Sequence, residues 1–191
     1  MWHGRQKNAG MKARRRATRY HRLMKLTDLF LAEIAREAPR TARVLQNVPT
    51  GKDDWKPHEK SMPLARLAGL VASMPSWVPL VIDQDELDLT PPPGTGSYKQ
   101  PTIEELVTSM NGLVEKANAS LRATTDDYLF TTNWRLKAGG HVVMNEPRHI
   151  VLRDTINHWA HHRGQLTVYL RLLDAKVPSV YGPSADDNSF A

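Results

Sequence analysis

The sequence predicts an all-α fold, an antiparallel four-helix bundle with a small β-hairpin before the last helix. Three observations carry that reading. Ile103, Leu106, Val107, Met110, Leu113, Val114, Ala117 and Leu121 fall at successive steps of three or four, one apolar face over about five turns. A second long helical stretch runs from Arg148 to about Asp174. Between the two, residues 128–147 change character: Thr131, Trp134, Leu136, Val142 and Val143 favour strand, and Ala138-Gly139-Gly140 supplies a turn. The competing reading of 128–147 is an irregular loop.

The elements follow in chain order. Residues 27–47 read as the first helix, with Thr27 as its cap, Asp28 complementing the dipole, and Phe30, Ile34, Ala38 and Leu45 on one stripe. Pro39 inside it predicts a kink or break near Glu37. Residues 48–60 are a loop by their Pro, Gly and charges. Ser61 then precedes a helix with Leu64, Leu67, Val71 and Met74 on its apolar side. Pro75 and Pro79 end or bend it, and 78–89 add a turn or two. Residues 90–101, rich in Pro and Gly, form a long connection. Thr102 and Glu105 make a T-x-x-E capping box for the helix that follows. Pro147 suits the start of the last helix, Gly164 interrupts it at modest cost, and the residues after 176 are coil.

Composition narrows the function classes. The chain has 191 residues, enough for one domain with a proper core. It contains no cysteine, so thiolate metal sites, disulfides and cysteine nucleophiles are excluded. No uninterrupted apolar run approaches 18 residues, which argues against a membrane span. Together these point to a cytoplasmic protein. The net charge of +6 comes from a leader, residues 1–23, with eight Arg and Lys and no acid. Without those eight, 18 bases face 20 acids, a net of −2. Residues 24–191 therefore make the folded domain. The leader reads as a disordered tail, or as codons upstream of a true start at Met24. Its rivals are a nucleic-acid-binding arm and a transit peptide.

The chemistry concentrates in "NHWAHHRGQL", residues 157–166, which holds three of the eight histidines. His158 and His162 are four apart, which on a helix sets both imidazoles on one face about 6 Å apart in rise. That is a workable two-ligand chelate. Asp154 lies about 12 Å along the axis from His162, too far to share one ion, and is a candidate partner for His158 instead. Val151, Leu166, Tyr169 and Leu173 share the stripe, so both histidines should face the interior, neutral and either metal-bound or hydrogen-bonded as a core pair. Gln165 is a candidate to orient a ligand. Arg163 either pairs with an anionic group or lies on a solvated face. A third ligand must come from another element, and His58 is the leading candidate, with a surface loop as its alternative role. His141 and His149 rank lower.

Two stretches, "WKPHEKSMPLARLAGLVASMPSW" and "RDTINHWAHHRGQLTVYLRLL", together with the ending "VPSVYGPSAD", resemble the DinB-like superfamily of DinB/YfiT-type proteins. The resemblance spans about residues 25–187. It implies a four-helix bundle, often paired as a homodimer, and in many members a divalent metal, nickel or zinc, held by three histidines. Two of these correspond to His158 and His162. The third belongs to a pattern like "LGRLAxHVA"; this sequence reads "LARLAGLVA" and has Leu70 at that position. Characterised relatives include transferases and isomerases that use the metal to activate a low-molecular-weight thiol, the cosubstrate implied here, against a small-molecule electrophile. The alternative is a non-catalytic stress-response or interaction bundle with a degenerate site.

Overall fold

The computed structural model describes residues 24–90 and 101–189. The basic leader and most of the 90–101 connection, with the readings attached to them, lie outside the described residues. The described chain is mostly helical. Its elements are α1 (Leu26–Leu45), α2 (Leu64–Ser73), a 3-10 turn (Met74–Ser76), α3 (Trp77–Asp83), β1 (Glu86–Asp88), α4 (Ile103–Ala123), α5 (Asp126–Thr131), β2 (Asn133–Ala138), β3 (His141–Pro147) and α6 (Arg148–Leu172).

α1 runs through Pro39 as one helix, so of the kink or break expected near Glu37 the break does not occur. Phe30, Ile34, Ala38, Thr41 and Leu45 are buried on both sides of the proline. Ala35, whose carbonyl loses its helical donor to Pro39, is exposed and open to water. The expected Thr27 cap is also corrected. The helix begins one residue earlier, and the distant Asp126 carboxylate accepts from the backbone N–H of Leu26 (2.8 Å) and of Thr27 (3.0 Å). The capping box of α4 forms as the sequence predicts, with Glu105 N–H donating to Thr102 Oγ1 and Thr102 N–H to the Glu105 carboxylate.

Leu64–Asp83 is long and apolar enough by composition to cross a membrane, although no unbroken apolar run predicts this. It is not one continuous α-helix, because a 3-10 turn containing Pro75 separates α2 from α3. Its buried side, with Leu64, Leu67, Val71, Val78 and Val81, packs on α4 and α6, as a core helix does.

The sheet corrects the sequence reading twice. The stretch before the hairpin is not strand: Tyr128 and Thr131 belong to α5, capped by the Thr125 side chain. The hairpin itself is β2–β3, turning at Gly139 and Gly140, whose φ of 59° and 77° suit glycine. A third strand, β1, joins β2 in parallel, with Glu86 opposite Arg135 and Leu87 opposite Leu136. The sequence reading extends the helix through these residues. They leave it because buried Arg148 seizes the end of α3, donating to the carbonyls of Val81 and Gln84 and to the Asp85 carboxylate. Glu86 meanwhile pairs with Arg135 and Lys137 on the neighbouring strand. Trp134, fully buried, seats the sheet by donating its indole N–H to Leu80 O (3.2 Å).

Candidate functional site around His158 and His162

α6 is positioned by its long apolar side. Val151, Leu152, Trp159, Leu166 and Leu170 are buried, and the Trp159 indole N–H donates to Val71 O on α2 at 2.9 Å. This locks the rotation of the helix. At about 100° per residue, His162 then falls inside the buried arc and His158 on its rim. The expectation that both face the interior is thus corrected: His162 is 8% exposed, whereas His158 is exposed.

The two rings nevertheless converge. Nε2 of His158 and Nε2 of His162 are 2.7 Å apart. On the far side of its ring, His162 Nδ1 meets the Gln165 side-chain oxygen at 2.8 Å. His161 stacks edgewise on His162, with centroids 5.2 Å apart. Burial, then the neighbouring His162 and His161, pull the His158 pKa below the ordinary 6.5, so this imidazole is neutral at pH 7. The converging Nε2 atoms can serve as a two-nitrogen chelate for a divalent ion once the rings part slightly, because two nitrogens each about 2.0–2.1 Å from one tetrahedral ion stand farther apart than 2.7 Å.

The other sequence candidates lie elsewhere. Asp154 accepts from its neighbour Arg153 at 2.9 Å, on an exposed face. His58 is exposed in its loop, where Nδ1 accepts from Lys60 N–H at 3.1 Å. The loop does reach α6, because Trp55 packs edge-on against Tyr169 at 5.5 Å. Leu70 is half-buried on α2. Among the described residues, no group of three His, Asp or Glu side chains converges.

Arg163 turns the other way and is 1% exposed, not on a solvated face. It pairs with Glu37 at 2.5 Å and donates to Thr41 Oγ1 and to the Tyr181 hydroxyl. Tyr181 in turn donates to Glu37 Oε2 (2.8 Å), and Arg40 binds Glu37 Oε1 (2.8 Å). Burial pushes the Glu37 carboxyl up, but the charge of Arg163 and hydrogen bonds from Arg163, Tyr181 and Arg40 outweigh it and hold the group below 4.5. This knot stiffens the turn that carries His162. Of the two sequence readings of Arg163, the anionic partner is the one found, and what the sequence reading misses is that the partner is Glu37; the signal is that both fall on otherwise apolar stripes, where a charge requires an opposite charge.

A family model described as "DinB family" matches residues 23–189. No curated protein matches the chain. Among solved structures, a DinB-like protein from Bacillus subtilis superposes with a TM-score of 0.58 at 16% identity, covering 84% of this chain and 99% of that one. A DinB-like protein from Bacillus cereus gives 0.57 at 23% identity, covering 80% and 95%. At these identities the structural likeness concerns the fold.

Proposed function

The chain belongs to the DinB family, and from that premise we propose that it is a divalent-metal-binding protein whose ion is held by His158 and His162. The observation that carries the reading is the 2.7 Å approach of the two Nε2 atoms. When bound, nickel or zinc supplies a Lewis acid. The protein's own residues do the rest. His158 and His162 offer nitrogen ligands four residues apart, Gln165 orients the second, and Arg163 fixes the turn from behind without touching the site. Because His158 lies on the exposed rim, an ion held there would be within reach of solvent and of a small molecule. A low-molecular-weight thiol with a small electrophile is the substrate class that the resemblance supports. The same reading takes α1, α2 with α3, α4 and α6 as the four members of an antiparallel bundle.

One feature favours a second reading. Leu70 stands where the family pattern has its third histidine, and a two-histidine site suits a non-catalytic bundle equally well. Elemental mass spectrometry tests the first reading. Chelator-treated full chain is reloaded with nickel or zinc and compared with the His158→Ala, His162→Ala double variant. Near-stoichiometric metal in the wild type, with one equivalent less in the variant, is the expected result. Equal uptake by both sinks the metal reading and leaves the structural one.

A further inference from the structure

We propose that Gln165 is a positioning residue that sets the tautomers of the histidine pair, so that in the metal-free protein His162 carries its proton on Nδ1 and His158 on Nε2. The proposal deepens the metal reading, yet its core concerns the metal-free chain and stands or falls separately.

A carboxamide oxygen only accepts, so the 2.8 Å contact from His162 Nδ1 to Gln165 Oε1 requires a proton on that nitrogen. In its neutral form an imidazole has one N–H, so in that form His162 Nε2 presents a lone pair. The same atom faces His158 Nε2 at 2.7 Å. Two lone pairs do not face each other at that distance, so His158 donates from Nε2. The result is a directed chain, His158 Nε2–H to His162 Nε2 and His162 Nδ1–H to Gln165. Its consequence is asymmetric. His162 already presents a lone pair on the nitrogen facing its partner, whereas His158 must move its proton from Nε2 to Nδ1, through solvent, before its own Nε2 can ligate. The exchange is balanced: one N–H is lost and one formed on the same ring, with no net proton release. His158 can make it because it is exposed, and His162 need not make it although it is buried.

Long-range ¹⁵N–¹H correlation spectra of the full-length, chelator-treated chain read the tautomers directly, at a pH where both rings are neutral. The expected pattern is Nδ1–H for His162 and Nε2–H for His158, with both rings Nδ1–H once zinc is added. Gln165→Leu should release His162 into a mixture of tautomers and weaken zinc binding by about 10–100-fold. Gln165→Glu, which keeps an acceptor, should restore the Nδ1–H form. Gln165 is exposed, so these variants should fold, and a thermal melt checks that they do. The reverse tautomers in the wild type, or unchanged tautomers in Gln165→Leu, would overturn the proposal. Expected tautomers with no zinc effect would uphold it and remove the metal reading instead.

Discussion

Glu37 on the first helix and Arg163 on the last meet at 2.5 Å with both side chains buried. Such a pair adds little over a well-packed apolar one, but breaking it leaves a charge stranded out of water. The two halves should not be equivalent. Arg163→Ala leaves Glu37 with Arg40 and the Tyr181 hydroxyl, and should cost about 3 kcal/mol. Glu37→Ala leaves two guanidiniums without that carboxylate, and should cost about 5 kcal/mol. Chemical denaturation of both variants checks the order; a cheaper Glu37→Ala would refute it.

The same carboxylate makes stability depend on pH. Its folded pKa lies below the ordinary 4.5, so the folded state favours the ionised form. The contribution is present above pH 4.5 and is lost as pH falls through the lower folded value. Wild-type stability should therefore decline on acidification below 4.5, and Glu37→Gln should decline less steeply from a lower starting point. Parallel slopes would assign the acid sensitivity to other groups.

Asp126→Ala tests the cap supplied to α1 from elsewhere in the chain. Losing the acceptor for Leu26 and Thr27 should cost about 1 kcal/mol, lowering Tm by about 2–4 °C. Amide exchange should quicken in the first turn of α1 and not in α4, whose capping box is self-contained.

Leu70→His addresses the donor set. Leu70 is half-buried on α2, beside Val71, whose carbonyl holds Trp159. If an imidazole at this position completes the site, zinc affinity should rise about tenfold or more, about 1.4 kcal/mol, in a titration against a chromophoric chelator. An unchanged affinity would mean that position 70 does not reach the pair.

The sequence is legible where the determinants are local. The Thr102–Glu105 box, the stripe of α4, the glycine turn of the hairpin and the i, i+4 meeting of His158 and His162 all depend on residues within a few positions of one another. What escapes is set by distant partners. β1 leaves its helical neighbourhood because Arg148 and β2 claim it, more than 40 residues away in sequence. Thr27 looks like a cap but yields to Asp126. Asp154 shares a helix face with His158, yet the adjacent Arg153 takes its carboxylate. Pro39 predicts a break, and the continuous buried stripe overrides it.

The ties of α1 also bear on the order in which the protein is made. Its start is fixed by Asp126, its middle by Arg163 and Tyr181, and its last turn by Ser179, whose carbonyl accepts from Arg43. These partners lie 100, 126, 144 and 136 residues downstream. A ribosome therefore releases the first helix long before it has synthesised what anchors it, and closing such long loops is slow. The first helix is thus among the last to be secured, and a chain stalled or truncated before Arg163 leaves the tunnel with Glu37 answered only by Arg40 of its own helix.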